Sequence, residues 1–209
     1  GVLRDTAMGN STYTRFARLL MKPERHREAL DKALELYRRA GVTSVQDNTW
    51  EPLTARLLAK YRDSGKLTCR FTCWPYGQAR GAHYLMNLAN FDDKWVRKGP
   101  WKFFADGAFS TRTAWMTEPY ADEPGNPGEP RYTPEELDKI VMKAARERRQ
   151  IVIHAIGDRA IREVLDSVEK AEDRHPEARD LRIRIEHVQL VLPEDFERMK
   201  RLGEIGRAS

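Results

Sequence analysis

The sequence predicts an α/β protein in which a parallel sheet is packed against helices. Three observations carry that expectation. Helical and strand periodicities alternate along the chain, in the order helix, strand, helix, strand, irregular, strand, helix, strand, helix, strand, helix. Two apolar runs, 151–156 and 182–190, each bring a histidine towards their C-terminal end, and His154 and His187 lie 33 residues apart, about one βαβ unit. Glycines close the helical stretches at Gly41, Gly65 and Gly203. Periodicity alone leaves an open doubly wound sheet and a (β/α)8 barrel equally admissible. No Gly-x-Gly-x-x-Gly follows any strand.

Residues 1–22 give no clean period. From Pro23 to Ala40 the apolar positions Ala29, Leu30, Ala33, Leu34 and Tyr37 fit one helix face, and Val42–Asp47 reads as a strand. Glu51–Ser64 returns to helical spacing through Leu53, Ala55, Leu58 and Tyr61, and Leu67–Trp74 is the next strand, closed by Pro75. The stretch 76–100 is irregular, with a short helix over 84–91, until Gly99-Pro100 announces a strand at Trp101–Ala105. Residues 107–132 hold three glycines and four prolines and form a connection far longer than usual, which predicts a loop over the active site. Thr133-Pro134-Glu135-Glu136 is a capping box with proline at the first helical position, so a helix runs over 134–149. Strand 151–156 ends in Gly157, Asp158 is placed as the cap of a helix opening at Arg159, and the last helix runs from Pro193 to Gly203. Residues 204–209 are too few to assign.

Within these strands, Lys102, Phe104 and Asp106 share one face by the period of two, as do Val152 and His154. In the last strand Ile183, Ile185, His187 and Gln189 share one face, and Arg184 and Glu186 point outward by the same alternation, which predicts for Glu186 an ion pair with a basic neighbour in place of a catalytic role. A lysine among apolar neighbours must pair, lose its proton or be modified. An ion pair from Lys102 to Asp106 or Glu186 is the structural alternative to a chemical role. Two neutral imidazoles at matching depth suit a divalent ion, and hydrogen-bonded core histidines are the competing reading.

Composition excludes several classes. The chain has 209 residues, 40% of them hydrophobic and 33% charged, enough for one globular core. No apolar run approaches the ~20 residues of a membrane helix. The net charge is +5, but 37 basic residues are interleaved with 32 acidic ones, and even Arg146, Arg148 and Arg149 have a glutamate beside them. Mixed charge of this kind marks solvated helix faces and argues against nucleic acid as a partner. Cys69 and Cys73, four apart on one strand, are roughly 13 Å from each other, too far for a disulfide. They read as core thiols of a reducing, cytoplasmic compartment.

Three segments, WKFFADGAFSTRTA (101–114), IVIHAIGDRAIREVLD (151–166) and RIEHVQLVLPEDFERMKRLG (184–203), together with GVLRDTAM and GVTSVQD, resemble the metal-dependent amidohydrolases of the family that includes N-substituted formamide deformylase. The resemblance covers essentially the whole chain. It implies a (β/α)8 barrel, of which this chain supplies strands 2 to 6 with their helices. It also implies hydrolysis of a non-peptide C–N bond in an amide, formamide or cyclic amide by a metal-activated water, with one or two divalent ions, zinc by preference. His154 and His187 match metal ligands, and Lys102 matches a fourth-strand lysine that can be carbamylated to bridge two ions. Asp106 and Asp158 are the candidate catalytic or orienting carboxylates, Asp106 alternatively ordering the loop and Asp158 capping its helix. Arg112 is placed on a substrate carboxylate or a loop carbonyl, and Phe109, Trp115, Trp74 and Gln189 are candidate pocket walls.

The family's first-strand His-x-His pair and eighth-strand aspartate have no counterpart here, and His26, His83 and His175 do not form such a pair. The expectation is therefore an internal fragment of a longer barrel domain, 1–209, that turns over little substrate alone. A barrel retaining only a binding role is the alternative. A fragment with exposed strand edges would tend to self-associate as a homo-oligomer.

Overall fold

The computed structural model describes residues 22–48, 52–77, 93–203 and 205–207. They form two compact units dividing between Trp101 and Lys102.

The first unit contains α1 (Pro23–Arg39), β1 (Ser44–Asp47), α2 (Pro52–Asp63), β2 (Arg70–Cys73) and β3 (Val96–Lys98). The strands are parallel in the order β1-β2-β3, with Ser44 opposite Arg70 and Phe71 opposite Val96. The sequence pattern missed β3, because three residues are too few to show a period. The helix expected over 84–91 lies outside the described residues. Leu34 of α1, Leu58 and Tyr61 of α2, Phe71, Cys73 and Val96 form one buried cluster. The Tyr61 hydroxyl donates to Asp31 Oδ1 at 2.8 Å and pins α2 to α1. Cys69 and Cys73 are buried free thiols. Trp74 is buried as well, and a side chain at Gly99 would lie 2.5 Å from its ring, so glycine is needed there for the indole to pack.

The second unit takes up β4 (Trp101–Phe104) and continues with α3 (Pro134–Arg146), β5 (Ile151–Ala155), α4 (Asp158–Arg174), β6 (Arg184–His187), α5 (Pro193–Leu202) and β7 (Ile205–Arg207). Its sheet has the order β4-β5-β6-β7, and both β5–β6 and β6–β7 are parallel. Parallel pairing across intervening helices is the α/β architecture that the alternating pattern predicts. All five residues of β5 are buried, as its unbroken Ile-Val-Ile run requires of a strand covered on both faces. α3 turns Leu137, Val141, Ala144 and Ala145 inward and packs against α4, which buries Ile161, Val164, Leu165 and Val168.

The capping box forms as expected. Thr133 Oγ1 accepts from Glu136 N at 3.3 Å, and Thr133 N donates to Glu136 Oε2 at 2.9 Å. The helix stops at Arg146, short of 149, because Arg148 turns left-handed at φ 50°. α4 corrects a second expectation. Gly157 is its N-cap and Asp158 its first residue, so the Asp158 carboxylate does not cap the helix but accepts Thr117 N at 3.0 Å. The last strand is also shorter than 182–190, since His187 and Val188 both have positive φ. Arg198 of α5 joins Asp166 and Glu169 of α4 at 2.5 and 2.8 Å and its own helix's buried Asp195 at 3.2 Å.

These placements set a contrast in unfolding experiments. Ile153→Ala, which empties a fully buried site on the central strand, should destabilise by about 2–5 kcal/mol. Thr133→Ala, which removes one side of an exposed cap, should cost about 1 kcal/mol. Chemical denaturation of the two variants beside the parent checks the order.

Candidate active site

The end of β4 controls the geometry around β5. Asp106 is fully buried, and its carboxylate accepts three backbone N–H groups: Trp115 at 3.0 Å, Ile156 at 3.1 Å and Gly157 at 2.8 Å. One carboxylate thus ties the strand, the long loop and the β5–α4 turn together. Buried anions are stable when hydrogen-bonded in this way. A Cβ on Gly157 would lie 1.9 Å from the Trp115 carbonyl oxygen, so the loop backbone occupies the space a side chain would need.

The loop itself is highly ordered by internal bonds. Met116 N donates to Pro127 O at 2.7 Å, Tyr120 N to Asn126 O at 3.0 Å, and Arg131 N to Ala105 O at 2.8 Å. Thr113, which the sequence reading passed over, is buried and accepts from Ala108 N at 3.1 Å. Arg112 pairs with Asp122 and also reaches Ser110 O at 3.4 Å, so its guanidinium is engaged within the loop. Phe109 packs edge-on against Tyr120 at 6.3 Å. Arg159 lies over the Trp115 ring, 5.5 Å from its centroid.

His154 and His187 come together, with ring centroids 4.5 Å apart and planes at 67°. Their convergence does not follow from simple strand alternation. The register sets His154 opposite Glu186 and Ala155 opposite His187, which would put the two imidazoles on opposite faces. The left-handed backbone at His187 (φ 78°) departs from the extended conformation and turns the ring to the other side. His154 is buried against Phe104, at 5.1 Å between centroids, and its Nε2 donates to Gly107 O at 2.7 Å. A carbonyl oxygen can only accept, so the proton of this bond is on Nε2, which also lies 3.4 Å from Asp106 Oδ1.

Lys102 is also buried, with Nζ 4.9 Å from the Phe104 ring centroid, and the same ring packs against His154. Lys102 makes no ion pair with Asp106 or Glu186 among the described residues. Burial pushes its pKa down to about 8, with Glu186 opposing that shift and Arg184 adding to it. The His187 pKa is lowered by burial first, then by His154 and Lys102. Glu186 forms the ion pair with a basic neighbour that the sequence predicts, with Arg184 at 2.6 Å, and it is buried. The signal was present in the sequence, because in a strand covered on both faces, charged residues at 184 and 186 can only line a polar interior. Gln189 is exposed beyond the end of β6, and Trp74 belongs to the other unit.

The donors fit part of a metal shell. A zinc–nitrogen bond of about 2 Å places each ring centroid roughly 3 Å from the ion, so rings 4.5 Å apart lie within the span of one ion. The Nε2–H to carbonyl bond is the outer contact that orients a ligating imidazole. No group of three or more His, Cys, Asp or Glu able to hold an ion occurs among the described residues. Two imidazoles alone are fewer than the three protein ligands of a catalytic zinc site.

The sequence comparison settles the family. The Amidohydrolase family model matches residues 1–207. The chain belongs to the amidohydrolase family. It is 33% identical over 218 residues to the Arabidopsis thaliana protein LONG AFTER FAR-RED 3, covering 97% of this chain and 36% of the plant protein. It is 36% identical over 115 residues to the putative amidohydrolase YtcJ of Bacillus subtilis, covering 55% of this chain and 21% of that protein. A solved structure of an uncharacterized metal-dependent hydrolase from Pyrococcus furiosus superposes with a TM-score of 0.79 at 25% identity, over 97% of this chain and 42% of that one. The chain thus spans less than half the length of each of these relatives. No helix among the described residues is long and apolar enough to cross a membrane.

Two measurements follow from the geometry. Gly157→Ala drives a methyl group into the Trp115 carbonyl and should destabilise by about 3 kcal/mol or more, or prevent folding. Lys102→Met should stabilise the unmodified protein at pH 7 in CO₂-free buffer, by an amount on the order of 3 kcal/mol. The sign follows from linkage. The folded amine releases its proton near pH 8 and the unfolded amine near 10.5, so between those values only the unfolded state holds it. Parent stability therefore rises relative to the variant from about pH 8 to 10.5, and the gap measured by denaturation at pH 7 should close across that window.

Proposed function

We propose that this chain forms part of a metal-dependent hydrolase acting on a non-peptide C–N bond in a small amide, formamide or cyclic amide, and that its strands are the second to sixth of a (β/α)8 barrel. The observation that carries this reading is the meeting of His154 and His187 at 4.5 Å, with Nε2 of His154 engaged by Gly107 O so that Nδ1 is the nitrogen that would meet an ion. The similarity to the Pyrococcus furiosus metal-dependent hydrolase supports it.

In this reading His154 Nδ1 and the His187 imidazole hold a divalent ion, zinc by the preference of nitrogen donors for it. Once bound, the ion supplies an activated water and polarises the substrate carbonyl. The lowered pKa of His187 keeps that ring neutral, as a ligand must be. Lys102, with its pKa near 8, is roughly one-tenth neutral at pH 7. Its free amine can attack CO₂, forming a C–N bond and releasing a proton to give a carbamate anion. Asp106 is a positioning residue, since its oxygens are taken by amides of the loop and the β5–α4 turn. Asp158 holds the loop at Thr117 in the same way. Trp115, Phe109 and Gln189 are the side chains of this unit through which the pocket would select its substrate. Arg112 would reach a substrate carboxylate only by releasing Asp122.

The test is elemental analysis of the purified protein that contains this chain, beside its His154→Ala and His187→Ala variants, together with assays on simple amides, formamides and cyclic amides. Each variant should lose at least half the bound metal and the hydrolytic activity. Unchanged metal stoichiometry removes the ligand assignment. Bound metal with no turnover of any of these substrates favours the non-catalytic binding barrel.

A further inference from the structure

We infer that Val188 is a positioning residue, and that the left-handed pair His187–Val188 is the device that carries the second imidazole to the first. The register of β5 with β6 pairs His187 with Ala155, whose side chain is on the face opposite His154. An extended φ near −120° at residue 187 would leave its ring on that face. At φ 78° the bond from Cα to Cβ is rotated by roughly half a turn relative to the preceding strand, and the ring ends 4.5 Å from His154.

Val188 continues the left-handed path at φ 48°. A branched residue there is a true outlier, because its Cβ substituents crowd the backbone. Such strain persists only where the surroundings enforce it. Here the enforcing contacts are the bonds from Val188 N to Ala155 O and from Leu190 N to Ile156 O, both 3.2 Å. They hold the chain against the end of β5 after the ladder of regular pairs has stopped. Ile156 is in turn fixed by Asp106, whose Oδ1 also lies 3.4 Å from His154 Nε2, so the kink and the first imidazole share one anchor.

Three substitutions at one position test this in the whole protein. Glycine adopts left-handed φ without strain, whereas alanine does not. Val188→Gly should therefore melt above Val188→Ala by about 2–4 °C, the reverse of their order in an extended strand. Val188→Pro fixes φ near −65°, removes the N–H that bonds Ala155 O and drives residue 187 back to an extended conformation. In metal-free protein it should abolish the nuclear Overhauser contact between the His154 and His187 rings that the parent and the glycine variant show. A secondary arm rests on the metal reading above: zinc affinity, measured by competition with a chelator dye, should fall at least tenfold in the proline variant and stay within threefold in the glycine variant. A higher melting temperature for alanine than for glycine overturns the proposal, and so does a surviving ring–ring contact in the proline variant. Failure of the zinc arm alone, with the ring contact behaving as expected, overturns the metal reading and leaves the positioning role standing.

Discussion

The structure around β5 depends on one buried carboxylate. Asp106 has no solvent to stabilise its charge and takes three backbone N–H groups in its place. Each comes from a segment that would otherwise end in an unpaired donor: one from the long loop, two from the turn into α4. Charge-assisted bonds of this type are stronger than neutral ones, and removing the acceptor leaves three amides buried without a partner. The loop is thereby part of the scaffold. That explains how a connection of such length, rich in glycine and proline, keeps one conformation. It also explains why Gly157 admits no side chain, since the loop backbone at Trp115 has taken that volume.

Much of this was legible in the sequence, for different reasons in different places. The helices of the described residues were visible because each buries one stripe and is bounded by a cap or a glycine, as Thr133 and Gly203 show. β5 was visible because its Ile-Val-Ile run is apolar and ends in a glycine turn at Gly157. β3 and β7, three residues each, carry too little pattern to detect. The histidine pair was found for an incomplete reason. Matching depth on neighbouring strands brought the residues to the same end of the sheet, but alternation assigned their faces wrongly, and only a local reversal of φ reconciles the register with the contact. No residue type announces that reversal, since valine is among the least suited to it.

The carboxylates were the least legible. Asp106 and Asp158 lie at strand and helix ends, where an acidic residue serves catalysis, capping or loop anchoring equally well. What separates these roles is which amide lies within 3 Å, a tertiary fact. Glu186 was legible in part, since a pair with a basic neighbour was expected and Arg184 supplies it, although alternation gave no sign that the carboxylate is buried. In a sheet covered on both sides there is no solvent face, so an alternating charge must be paired inside, as Arg184 pairs it.

The electrostatics of the buried cluster then restrict what the site can hold. Glu186 is engaged by Arg184 and Asp106 by backbone amides, so neither is left to form an ion pair with Lys102. An ammonium at 102 is accordingly disfavoured by burial, and its field also disfavours a proton on His187. A divalent ion between the imidazoles would add like charge beside that ammonium, and in a medium of low polarity the two repel strongly. The cluster is compatible with a bound cation only when Lys102 is neutral or has become an anion. In the proposed reading, carbamylation would meet both demands at once, since it would remove the buried positive charge and supply an oxygen donor to a cluster whose own carboxylates are otherwise occupied. The amine's lowered pKa is thus a consequence of burying it, which the charge of Glu186 offsets only in part.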